Sequence, residues 1–501
     1  MHQMELFMRY PIEVQGDVLG KLVQTARSTH FGQQYGFDLI KSPQDFAANV
    51  PLHAYEDLFP WIQQSLEGKS SVLWPGETRW FAKSSGTTND RSKFIPISEE
   101  SLQDCHYKAA KDLVSVYCNL RPEQSLFEGK CLTIGGSHAL NPFNSQSVTG
   151  DLSALLMQNQ PFWAEYIRTP ELSVALMSDW EPKMERIAQE TLNENVTNMA
   201  GVPTWIILLC RRMLEITGHL NMLEIWPNME VYFHGGVGFQ PYRAQFNALF
   251  PSDRVWYMET YNASEGFFGL ATEPSTDEML LMLDYGIYYE FIPIEQIHLD
   301  KPSSLTLDQV QVHHSYALVI STNSGLWRYQ IGDTVTITST NPYKFRILGR
   351  TKSYINAFGE ELMADNAEKA MSHAARCCGA EIRDYTAAPL FLDQGEAGLH
   401  QWLIEFQKMP DSLQRFGQIL DEELRKDNSD YDAKRHKNLA LRPPQVIALP
   451  EGTFYRWLQD KNKLGGQHKV PRLANHRDIV EQILALIRPS DSPQRTANPS
   501  D

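Results

Sequence analysis

Cysteine is scarce and unpaired in this chain: Cys105, Cys118, Cys131, Cys210, Cys377 and Cys378 lie scattered through 501 residues without a C-x-x-C spacing. Nothing there reads as a disulfide framework or a dithiol redox motif, and reduced structural thiols are expected. Histidine offers no metal cluster either. The 15 histidines are dispersed, and the adjacent pair His313-His314 lacks the i, i+4 spacing that sets two imidazoles on one helix face. Long apolar runs are missing, for nothing approaches the roughly 18 to 20 residues that span a bilayer. The N-terminal MHQMELFMRYPIEVQGD carries acids and a proline where a secretory core would be uninterruptedly apolar. A cytoplasmic location without membrane association is expected. Positive charge is short as well. A formal net charge of −16 argues against the basic face that broad nucleic-acid binding needs, but not against a small anion held by local cations.

What is present is an ordinary globular composition, 42% hydrophobic and 21% charged, in a chain long enough for two or more domains. The segment before residue 70 reads as helical, with Leu19, Leu22, Val23 and Ala26 at the spacing of one buried face. Leu113, Val116, Tyr117 and Leu120 repeat that stripe. KCLTIGG (130–136) and MEVYFHGG (229–236) read as short strands running into glycine turns. ALVIST (317–322) reads as a buried strand, and TVTITST (334–340) as a half-exposed one. The expected fold class is α/β: a large N-terminal domain of mixed sheets and helices over 1–349. GRTKSYINAFGEEL (349–362) reads as a junction. Beyond it a helical stripe of Ala367, Ala370, Met371, Ala374 and Cys378, then strands around WLIEF and QVIAL, make a smaller α+β domain over 350–487. The polar, proline-rich 488–501 is expected to be a disordered tail.

Four segments carry chemistry. The first, SSGTTNDRSK (84–93), gathers hydroxyls, a glycine and two cations, which suits either a phosphate cradle or a solvated turn; it lacks the Walker A spacing. In METYNASEGFFG (258–269), Tyr261 precedes the carboxylate of Glu265 by four residues. An aromatic can stack on a base while a carboxylate holds Mg²⁺, or the pair is a core tyrosine and a helix N-terminal acid. In GLWRYQIGDTV (325–335), Gly332 reads as a turn presenting Asp333 at the start of a strand. That carboxylate could accept from vicinal ribose hydroxyls or from turn amides. Arg350 in ILGRTK could reach ribose or phosphate, or form a salt bridge.

Taken together, SSGTT…KFIP, HGGVGFQPYR, ETYNASEGFFG, LWRYQIGD and ILGRTKSYINAFGEEL resemble the Gretchen Hagen-type family of acyl-acid amido synthetases, in its bacterial form. The likeness continues through NSDYDAKR and GGQHKVPRL and so covers nearly the whole chain. The resemblance implies an adenylate-forming fold whose smaller C-terminal domain is mobile. It implies ATP and Mg²⁺ as cofactors. Ser84, Ser85, Gly86, Thr87 and Thr88 would wrap the ATP phosphates, with Lys93 in support. Gly235, Gly236 and Val237 would lie along the adenine. Tyr261, with Asn262, Ala263 and Ser264, would complete the base site, and Glu265 would hold Mg²⁺. Asp333 would bind the ribose and Arg350 would act from the hinge. Lys469 would bridge the acyl carboxylate and the α-phosphate. Two positions depart from the wider superfamily: Asn262 and Ser264 replace its usual glycine and threonine, and Lys352 stands where the hinge often has aspartate.

The implied reaction is attack of a carboxylate on the α-phosphorus of ATP, then transfer of the acyl group to an amine, an amino acid being expected. An α-amino group with a pKa of about 8 would be helped by a base, for which His234 and Glu360 are candidates. An acyl-CoA ligase with the same first step, and a nucleotide-binding scaffold without catalysis, are the alternatives. A monomer or homodimer is expected. Region 100–215 is expected to supply the acyl pocket, and Arg168, Arg211 and Arg243 could pair with a substrate carboxylate, but sequence does not rank them.

Overall fold

The computed structural model describes residues 2–84, 93–136, 138–140, 146–236, 239–297, 299, 301–350, 354–355, 357, 360, 362–390, 398–435, 441–461, 470–474 and 477–487. The chain divides into a first compact unit ending at Lys352 and a second beginning at Ser353.

The first unit opens with helices. Pro11 starts the helix Pro11–Ala26, where its fixed φ and missing N–H cost nothing. Val18, Leu19, Leu22, Val23 and Ala26 are buried along one face, each larger side chain contributing about 1.5–3 kcal/mol by leaving water. Gln15 on the same face donates to the carbonyls of Leu283 and Ile287 at 2.8 and 2.9 Å, which locks the helix to the sheet beneath.

A small sheet follows, from β1 (Trp80–Ser84) and β2 (Lys93–Ile97), paired antiparallel so that Ser84 faces Lys93. After β3 (Lys130–Thr133) it is completed by β4 (His138–Leu140) and β5 (Val148–Gly150) in the order β2-β1-β5-β4. The large sheet takes β3, then β6 (Arg168–Thr169), β7 (Val196–Gly201), β8 (Val231–Gly235) and β9 (Trp256–Ala263). It continues with β10 (Gly266–Ala271), β11 (Met279–Leu281) and β12 (Ile287–Pro293). The last members are β13 (Ser315–Thr322), β14 (Tyr329–Thr340) and β15 (Tyr343–Arg350).

The eleven strands run in the order β12-β13-β14-β15-β11-β10-β9-β8-β7-β3-β6. One half, β6-β3-β7-β8-β9, is parallel, and the other half is antiparallel. Parallel strands need both faces covered. One face of that half packs Met199, Tyr232 and Tyr257 with Ile206, Met213 and Phe246, and the other packs Val231 and Phe233 with Tyr117 and Val116. The parallel strands end in glycine turns at Gly135, Gly201 and Gly235, so the crevice beyond those ends is where an α/β sheet binds ligands.

The second unit is α+β. β16 (Tyr354–Ile355) and β17 (Leu362–Met363) form a short ribbon. β18 (Glu381–Leu390), β19 (Leu399–Lys408) and β20 (Gln445–Leu449) form a three-stranded sheet. Ala367, Ala370, Met371 and Ala374 of the helix Ala364–Cys377 bury against Tyr385, Trp402 and Ile404, as their spacing predicts. Among the described residues no helix is long and apolar enough to cross a membrane.

Candidate active site

The described part of the candidate site grows from one hairpin. β9 and β10 join through the two-residue turn Ser264-Glu265, with Ala263 opposite Gly266. Glu265 is therefore a hairpin residue and not a helix N-terminal acid, because the antiparallel ladder continues on both sides of it. It is 8% exposed, and its carboxylate raises the Tyr55 phenol after burial and Glu56 have done so, to about 12. Ser264 is buried, and its Oγ has no hydrogen-bond partner among the described residues.

Three residues before the turn, Tyr261 is buried with its ring 4.8 Å from Phe268. Its hydroxyl donates to Oδ2 of Asp333, 72 residues further on. Asp333 does not open a strand as the sequence suggests. β14 begins at Tyr329 and passes through Gly332, whose φ of +88° is absorbed where the β13–β14 register shifts. On the other side, Asp333 lies opposite Arg350 in the β14–β15 ladder. The third and fourth motifs thus lie on neighbouring strands, and the Tyr261–Asp333 hydrogen bond joins the second to them across the intervening strands.

The start of β14 is fixed by a residue whose role sequence reasoning missed. Arg328 is 5% exposed, pairs with Glu290 at 2.9 Å and also donates to the carbonyls of Ala47 and Val50. The next residue, Tyr329, accepts from Lys93 Nζ at 3.3 Å, and Lys93 lies 5.3 Å from the Tyr55 ring centroid. The base of the SSGTT segment is thereby tied to β14. Ser84 ends β1, while Ser85, Gly86, Thr87 and Thr88 lie outside the described residues, as do Val237 and Lys469.

At the end of β8, Gly235 runs so close to the Thr260 carbonyl that a Cβ would collide with it, and Gly236 has φ +81°. A flat base against bare backbone is sterically possible there. His234 stacks on Phe239 at 4.0 Å, and burial followed by the field of Arg243 pushes its imidazole down to about 3. So weak a base is ill-suited to deprotonating an amine. Glu360, the other candidate, is fully buried and bonded to His400 Nε2 at 2.7 Å in the second unit.

Two further groups carry no short sequence signal. Lys183, 2% exposed, donates to the carbonyls of Gly135 and Gly136 at the end of β3, and burial pushes its ammonium down to about 8 against the pull of Asp151. His106 sits buried in a π-helical turn, Ser101–Tyr107, with the Asn262 side chain as its polar neighbour. Burial pushes it down to about 4, partly offset by Asn262.

Comparison with known proteins shows the family of the chain. The GH3 family N-terminal domain matches residues 1–255, the central domain 280–350 and the C-terminal domain 365–478. The chain belongs to the GH3 family. It is 22% identical to the indole-3-acetic acid-amido synthetase GH3.3 of Arabidopsis thaliana, covering 94% of this chain and 90% of that protein. The jasmonoyl–L-amino acid synthetase GH3.5 of Oryza sativa subsp. japonica is also 22% identical, over 97% of this chain and 96% of its own. In fold, the GH3.15 acyl acid amido synthetase superposes with a TM-score of 0.77 at 16% identity, covering 94% of this chain and 93% of that one. A 2-hydroxyisobutyryl-CoA ligase reaches 0.57 at 14% identity, over 94% and 91%. The GH3 chain described here thus has an adenylate-forming fold.

Proposed function

We propose that this GH3 chain joins a small carboxylic acid to the amino group of an amino acid by way of an acyl-adenylate formed at the β9–β10 hairpin. The chain is an ATP-dependent, AMP-forming acyl-acid amido synthetase. The observation that carries the site assignment is the Tyr261–Asp333 hydrogen bond beside Glu265, which unites motifs far apart in sequence.

A carboxylate does not acylate an amine at neutral pH, because oxide would have to leave. Attack of the carboxylate oxygen on the α-phosphorus, with loss of pyrophosphate, supplies AMP as the leaving group instead. Anions must be brought together, so positioning and positive charge do most of the catalysis. In this reading Ser84 to Thr88 receive the phosphates and Lys93 supports them. Gly235, Gly236 and Val237 back the adenine, with Tyr261, Asn262, Ala263 and Ser264 completing its site. Asp333 accepts from the ribose hydroxyls, Arg350 adds charge, and Lys469 bridges the acid and the α-phosphate. The buried carboxylate of Glu265 suits Mg²⁺, which takes one or two protein carboxylates and otherwise substrate phosphates and water. Mg²⁺ bound there would neutralise phosphate charge.

In the same reading residues 1–349 bind ATP and the acid, and 350–487 form a domain that moves between the two half-reactions. Asn262 and Ser264 support the family's bacterial branch. A cytoplasmic location without membrane association belongs to the same reading, and the net charge of −16 supports the absence of a nucleic-acid partner. A monomer or homodimer completes the reading.

Pyrophosphate release from ATP and Mg²⁺ across a panel of aryl, indolyl and aliphatic acids tests it. Release with an acid, and an amide only when amino acids are added, is the expected result. A thioester formed with coenzyme A in place of an amide would overturn it.

A further inference from the structure

The three arginines that sequence leaves unranked are separated by their surroundings. Arg211 donates to Gln245 at 3.0 Å. Arg243 donates to the Ser275 carbonyl and lies over the Phe239 and Tyr257 rings at 5.5 and 5.7 Å. Arg168 is different. It is only 7% exposed, yet among the described residues no hydrogen bond or ion pair reaches its guanidinium, and its Nε is fully enclosed without a partner. Burial lowers its affinity for the proton, and Glu165 attracts it from beyond ion-pairing range without cancelling that effect.

The place of Arg168 in the sheet explains the missing partner. β6 is the edge strand, and Arg168 stands in one row with Cys131 of β3, Asn198 of β7 and Val231 of β8. Aligned residues of parallel strands share a face, and that row contains no carboxylate. Cys131 and Thr133, with Sγ and Oγ1 3.6 Å apart, and the buried Asn198 offer only neutral polar groups. A guanidinium has five N–H donors in a fixed fork matched to a planar anion, and leaving the enclosed Nε–H of Arg168 unpaired is costly. Immediately before it, the 3₁₀ turn Phe162–Ile167 holds Phe162, Trp163 and Tyr166 at 79%, 52% and 77% exposure. Those rings lie within about 12 Å of chain, given the rise of such a helix.

We propose that Arg168 anchors a second carboxylate site at this sheet edge, which takes a small aromatic acid, its carboxylate on the guanidinium and its ring on the Phe162–Tyr166 segment. This site is not the nucleotide crevice. Three strand spacings across and four residues along separate Arg168 from Gly235, roughly 20 Å. The acid carries a carboxylate of its own and its amide conjugate carries that of the amino acid, so either substrate or product could occupy the site as an effector. The inference stands apart from the assignment of Glu265 and Asp333.

The test is calorimetric titration of the full chain, without ATP, with benzoate, N-benzoylglycine and inorganic phosphate. The wild type should bind one more benzoate or N-benzoylglycine per chain than Arg168→Leu does. Whichever of the two binds more tightly separates control by substrate from control by product. Arg168→Lys, which keeps the charge and loses the fork, should weaken that site at least tenfold. Glu265→Gln, aimed at the crevice, should leave the difference between wild type and Arg168→Leu intact. Tyr166→Ser, at an exposed position, should weaken benzoate without disturbing the fold. Melting temperature gives an independent reading, since Arg168→Leu should not lower it. Equal stoichiometry in wild type and Arg168→Leu, phosphate bound in place of the carboxylates, or a large fall in melting temperature would each overturn the proposal.

Discussion

Arg328 and Arg168 are both buried in the first unit, at 5% and 7% exposure, and their surroundings treat them oppositely. Arg328 spends its fork on Glu290, on two backbone carbonyls and on Ser304. Arg168 is given no partner among the described residues. A histidine in that second position would drop its proton, as His106 and His234 do with values of about 4 and 3. Arginine keeps its charge. Burial alone therefore does not tell a structural cation from a binding one; the count of satisfied donors does. Arg328 holds the start of β14, and through it the position of Asp333, whereas Arg168 has nothing in its own row to hold.

The largest effect expected from this contrast is on Arg328. Arg328→Leu strands Glu290 in the core and should cost about 3–5 kcal/mol in urea unfolding. Arg328→Met with Glu290→Gln should recover a good part of that loss, because no charge is left unpaired. If the single variant loses less than 1 kcal/mol, the pairing is not what secures β14. Next comes Tyr261→Phe, which removes the hydroxyl from the buried Asp333 and should cost about 1.5–3 kcal/mol while raising the KM for ATP. An unchanged KM would detach Tyr261 from the nucleotide.

The smallest effect is a pH slope. His106 and His234 have folded values below the ordinary 6.5, so the unfolded chain binds their protons first. Their contribution is intact above about pH 6.5 and is lost as pH falls toward 4 and 3, at up to about 1.4 kcal/mol per pH unit for each. His106→Gln should flatten the stability curve between pH 6.5 and 4. A curve parallel to the wild type would show that His106 does not titrate on unfolding.

Local periodicity made much of the fold legible. The stripe from Leu19 to Ala26, the run ALVIST and the Ala367–Ala374 face all follow from side-chain spacing, because each element buries one contiguous face. Positions where pairing overrides local signals were not legible. Glu265 has the sequence context of a helix start, but the ladder on either side makes it a hairpin residue. Gly332 has the context of a turn, but a bulge carries the strand through it. The candidate site was legible as a set of motifs, since Tyr261, Glu265 and Asp333 lie in the segments that carry the family resemblance. The role of Arg328 and the isolation of Arg168 were hidden, because partners such as Glu290, or their lack, come from strands far away in sequence.

Adenylate chemistry is tested most directly by isotope. The chain would be supplied with ATP, Mg²⁺, an amino acid and a carboxylic acid carrying ¹⁸O in both oxygens, and the products read by mass spectrometry. Attack of the carboxylate on the α-phosphorus predicts one ¹⁸O in AMP and one in the amide. Label found in inorganic phosphate with formation of ADP, or AMP free of label, would contradict the acyl-adenylate route.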